Sequence, residues 1–171
     1  MAGVAVRFGL GTIVDTGVVA GIIFAAFEIL AAALLMGPEA AAMPLRMIGA
    51  MVLGTQALEP GYSLVTAAMT GVIVHLILSV VFTGIFAAIA PPILMASGLG
   101  TTSGSLALAG IAFGIALWLI NFYLVAPAVG WTWFPERTDP VVQFLAHAFF
   151  FGCTAGWMLG RGRRPAIGPT L

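Results

Sequence analysis

The chain has two histidines, and both stand in apolar runs of like character: His75 in VIVHLILSVVFTG and His147 in FLAHAFFFGCTAG. A carboxylate, Glu28, lies in a third such run, AGIIFAAFEILAAALL, and Asn121 lies in a fourth, AGIAFGIALWLINFYL. Two imidazoles and a carboxylate from separate helices satisfy the ligand count of a non-haem metal site, and two imidazoles alone could ligate a haem b between facing helices. A carboxylate near histidines is also what a proton relay uses, because small shifts move histidine across physiological pH. The simplest role for the same groups is a hydrogen-bond network that holds helices in register.

These residues sit in a chain of 171 residues that is 61% apolar and only 7% charged. Its mean hydropathy is +1.15, and soluble domains carry roughly 25% charged residues. The composition is that of an integral membrane protein. Six arginines and no lysine balance six acids, so there is no basic field to attract a nucleic acid. The single cysteine, Cys153, excludes an intrachain disulfide and any CxxC metal motif.

A bilayer core about 30 Å thick needs about 20 apolar residues in a helix. Four stretches qualify, at about 17–36, 64–90, 105–126 and 140–160. No segment alternates apolar and polar residues as barrel strands must. The fold class expected is therefore an all-α transmembrane four-helix bundle, a single domain over 1–171. The first stretch is longer than a signal-peptide core and reads as a retained anchor. Asp15 or Thr16 is its expected N-cap, and Gly37 with Pro38 its stop.

Arg7, Arg161, Arg163 and Arg164 flank the outer ends of the first and last spans, whereas Arg46 and Arg137 lie in the two loops opposite. That bias puts both termini in the cytoplasm. In the first of those loops PLRMIGAMVLG, 44–54, is too short to cross and suits an interfacial helix or a piece packed on the bundle. Its Met43, Met47 and Met51 form a stripe; thioethers suit Cu(I), but such a stripe is expected to be a packing or lipid-facing side. Trp131 and Trp133, in the other loop, are expected as interface anchors.

Helical geometry sorts the candidates by face. Glu28 shares its face with Gly17 and Gly21, and Asn121 shares its face with Gly110 and Gly114. Gly152, Gly156 and Gly160 mark another small-residue face. Small residues let helices approach closely while a polar side chain bonds across the contact. Gly84 and Gly156, nine residues beyond His75 and His147, lie on the opposite sides of their helices, so a slot for a porphyrin would have to come from the glycines of the first and third spans. Glu28, His75 and His147 come to one depth, and a carboxylate there costs about 2.5 kcal/mol or more if it faces lipid. Glu28 must point inward, and the histidines are its expected partners.

The phrases AGIIF and AGIAF each open a span whose successor carries a histidine. The chain thus reads as two related helical hairpins, a parallel repeat with a pseudo-twofold axis along the membrane normal. GxSxG, HExxH and phosphate-binding glycine loops are all absent, so catalysis is not expected. The function favoured is a non-catalytic packing or accessory subunit of a membrane complex or homo-oligomer, with lipid and other membrane subunits or itself as partners. No cofactor is the leading expectation. The alternatives are a redox component holding haem b or a metal ion through His75, His147 and Glu28, and a proton or ion conductor using Glu28.

The segments MPLRMIGAMVLG, GVIVHLILSVVFTGIFAAI and LAHAFFFGCTAG resemble a group of small uncharacterised four-helix bacterial inner-membrane proteins. The resemblance implies a bacterial inner-membrane location and brings no established activity or site residues.

Overall fold

Backbone polar groups in lipid must be satisfied within the segment, so apolar runs of this length are stable as helices. The computed structural model describes residues 7–162, among which no strand occurs. Arg163 and Arg164, which enter the charge count for orientation, lie outside the described residues. Four helices are long and apolar enough to cross a membrane: α1 (Leu10–Met36), α3 (Leu64–Ala96), α4 (Ser103–Ala128) and α5 (Pro140–Arg161). Between the first two lies the shorter α2 (Met43–Leu53).

The helix ends extend past the apolar windows. α1 begins at Leu10 with Gly9 as N-cap and no side-chain cap bond. Asp15 and Thr16 are therefore interior to the helix and do not cap it; Asp15 is exposed and Thr16 turns into the bundle. Gly37 closes α1 in a conformation that favours glycine, φ 102°. α3 runs through Pro91 and Pro92 to Ala96, although each proline removes a donor from the helix. Pro91 is fully buried, so packing offsets the lost bonds. The other starts follow expected chemistry. Ser63 accepts from the Thr66 N–H at 3.3 Å, Thr102 from the Ser105 N–H at 3.2 Å, and Asp139 from the Val141 and Val142 N–H groups at 2.8 and 3.0 Å.

Glycines set the helix spacings. A side chain at Gly17 would strike the Val80 backbone at 2.6 Å, which presses α1 onto α3. Gly110 and Gly152 meet backbone to backbone, Gly114 lies on the His147 carbonyl, Gly156 on that of Leu106 and Gly160 on Ser103, so α4 and α5 form one continuous close contact. α2 lies on α3 in the same way: Gly49 on the Ala67 carbonyl and Gly71 on that of Leu45. Arg46 secures α2 by donating to the carbonyls of Ala57 (2.9 and 3.0 Å) and Glu59 (2.6 Å).

Three apolar clusters fill the bundle in sequence along its axis. Phe86, Leu94, Leu106 and Leu159 close the end that carries the termini. Ala20, Phe24, Ala146, Phe151 and Ala155 join the α1–α3 pair to the α4–α5 pair in the middle. Met47, Ala50, Ala67 and Trp133 pack the far end under α2. On the outside, Ile73, Ile77, Val81, Ile85, Ile89 and Ile93 form an exposed stripe along α3, as lipid contact requires.

Candidate ligand site

Between the middle cluster and the far end the helices separate around a cavity of about 520 Å³. All five helices contribute to its wall, including Phe24 and Glu28 from α1, His75 and Ser79 from α3, Asn121 and Phe122 from α4, and Gln143 and His147 from α5. α2 supplies Met43, Met47 and Met51, and the loop before α5 supplies Trp131, Phe134, Arg137 and Asp139. The volume falls within the roughly 300–1,000 Å³ usual for small-molecule sites, and the mixture of apolar wall with a few polar groups is also usual.

Glu28, His75 and His147 are 6, 8 and 8% exposed, and all three reach the cavity. Glu28 is bonded by neither histidine. Its Oε1 accepts from the Gln143 side-chain amide at 2.5 Å. Gln143 lies one turn before His147 on α5, and its polar end reaches α1 because the two hairpins meet there. The histidines find backbone partners: His75 Nε2 donates to the Gly21 carbonyl and His147 Nδ1 to the Gln143 carbonyl, each at 2.8 Å. A carbonyl accepts and cannot donate, so each contact requires the proton on that nitrogen and fixes the neutral tautomer. His75 Nδ1 and His147 Nε2 are then lone-pair acceptors. No described residue bonds either one, and neither is sealed from the cavity.

The imidazoles are not stacked on each other. The Phe24 ring packs against both, with centroid distances of 5.1 Å to His75 and 4.8 Å to His147. A porphyrin ligated by both histidines would need the space this ring takes. Among the described residues no three His, Cys, Asp or Glu side chains come close enough together to hold a metal ion, because Glu28 is turned to Gln143. Asn121 lines the cavity without a hydrogen-bond partner among the described residues.

Two π-helical turns bring cavity residues into place, Asn121–Val125 in α4 and Ala146–Cys153 in α5. Such turns are rare and often occur at functional sites. The first precedes Pro127, whose ring crowds the preceding turn of a regular helix. The second carries His147, and its extra residue per turn shifts the face of everything after it. Neither is visible in an apolar run read at a fixed helical period.

Other expectations change with the geometry. Trp133 is no surface anchor: it is 5% exposed and donates from its indole to the Met47 carbonyl at 3.2 Å, which fixes α2 against the loop between α4 and α5. Trp131 lines the cavity. The methionine stripe faces the cavity along its whole length, with Met47 buried. Gln143 and Phe24 stand at the centre of the site without having been singled out, and the Gly49 and Gly71 contacts under α2 were not foreseen either. Gln143 was legible as a polar residue one turn from His147; Phe24 had no distinguishing signal.

No family model, curated protein or solved structure matches the chain.

Proposed function

We propose that the chain is a non-catalytic integral membrane protein that holds a small, largely apolar molecule in the chamber between its helices. It does so packed with copies of itself or with other membrane subunits, in a bacterial inner membrane with both termini cytoplasmic and α2 at the outer interface. The observation that carries this reading is the chamber itself: about 520 Å³, apolar-walled, and lined by Glu28, His75, Ser79, Gln143 and His147, each more than nine-tenths buried. Such groups are expensive at bilayer depth and are retained where something uses them.

The chamber is closed toward the termini. Below the histidines Phe86, Leu106 and Leu159 are almost completely buried and close the terminal half of the bundle, which favours binding over conduction through a single copy. Arg137 and Asp139 stand at the opposite end of the chamber, where a ligand from the aqueous or interfacial side would pass. The related hairpins remain part of the proposal: each half pairs a glycine-faced helix with a histidine-bearing one.

Native mass spectrometry of the purified chain in a mild detergent tests the reading. The expected result is a retained small molecule at one copy per chain, lost in Ala32→Trp, which fills the chamber from α1. A wild-type chain that carries nothing, and that takes up no added apolar molecule, would overturn it.

A further inference from the structure

The three titratable groups buried deepest in the chamber, Glu28, His75 and His147, share one chemical sense. His75 Nδ1 and His147 Nε2 are acceptors because their partner nitrogens donate to carbonyls at 2.8 Å. Glu28 has one oxygen bonded by Gln143, and no described cation pairs with it. The Ser79 hydroxyl is committed to the His75 carbonyl at 2.8 Å, and one N–H of the Gln143 amide is committed to Glu28. At the level of Glu28, His75 and His147 the three groups thus offer three open acceptors, against which the remaining donors are the second N–H of Gln143 and the amide of the half-buried Asn121. A ligand that also brings only acceptors would leave every one of them unpaired in an apolar surrounding, and buried unpaired polar groups are strongly disfavoured.

We infer that the ligand carries a hydrogen-bond-donating head, a hydroxyl or an ammonium group, on an apolar and preferably aromatic body. The head sits at the level of Glu28, His75 and His147, and the body lies among Phe122, Phe134 and the α2 methionines. This rests on the binding role proposed above and adds its chemical selectivity. A phenolic hydroxyl would donate to an imidazole lone pair. An ammonium would place its charge on Glu28, where aromatic rings also favour a cation.

Three probes of similar size distinguish the cases: para-butylphenol, phenylbutylamine and para-butylanisole, titrated calorimetrically into the full chain in detergent. The expected result is that the phenol or the amine binds at least about tenfold tighter than the anisole, whose ether can only accept. If the phenol is preferred, His75→Phe or His147→Phe brings its affinity to within about threefold of the anisole's; if the amine, Glu28→Gln does so. Should a variant fail to fold, the wild-type comparison decides alone. Anisole binding as tight as both donors would overturn the donor inference and leave the chamber's binding role standing. Binding of none of the three would remove both.

Discussion

At the scale of single residues, the centre of the molecule is a carboxyl group whose partner is an amide. Glu28 and Gln143 are both buried and joined across the two hairpins at 2.5 Å. Removing the donor leaves a buried carboxyl without its bond, a loss of about 1–3 kcal/mol. Gln143→Leu is therefore expected to destabilise the folded chain by that amount in reversible unfolding from mixed micelles. The double variant Glu28→Leu with Gln143→Leu should recover most of it, since neither polar group is then stranded. A double variant no better than the single one would show that the pair does not act as a unit.

The helices obey a different rule, set by how near two backbones can come. A Cβ at Gly156 would lie 2.0 Å from the Leu106 carbonyl, whereas one at Gly84 would meet only Ile13 at 3.7 Å. Gly156→Ala must push α5 off α4 and is expected to cost about 3 kcal/mol or more, above the usual range for one extra methyl in a core. Gly84→Ala should be neutral or stabilise by about 0.5–1 kcal/mol through helix propensity. Thermal unfolding of the two variants side by side checks the contrast, and equal midpoints would mean that the close contact is not what holds the pair. The two π turns belong to this scale as well. They occur in the two helices whose glycines pack together, and they turn Asn121 and His147 to the chamber.

For the whole molecule the bundle divides along its length: a closed apolar end near the termini, and toward α2 the part that surrounds the chamber. In the proposed orientation, with the termini cytoplasmic, the loop between α3 and α4 would face the cytoplasm and the loop after α2 would face outward. Cysteines placed at Leu99 and Gly61 in a Cys153→Ala background are thus expected to react with an impermeant maleimide from opposite faces, Gly61→Cys in intact cells and Leu99→Cys only in inverted vesicles. The reverse pattern would turn the molecule over and put the mouth of the chamber on the cytoplasmic side.

The extent of reading differs by scale for a physical reason. Membrane insertion depends on length and apolarity, so four spans followed from composition, with errors only at ends such as Leu10 and Ala96 where capping and prolines decide. Close packing depends on small residues at fixed spacing, and the glycines of α1, α4 and α5 could be placed on faces from the helical period alone. Which polar group meets which could not. Glu28 bonds Gln143 and not a histidine because the relative rotation of α1 and α5 is set by interlocking contacts far apart in the chain, and because a π turn resets the face of α5. The chamber is likewise a property of how α2, Trp133 and the helix ends come together. Sequence alone determined that these groups lie buried in a membrane bundle; only the tertiary structure decided that they surround a space, with acceptors turned toward it.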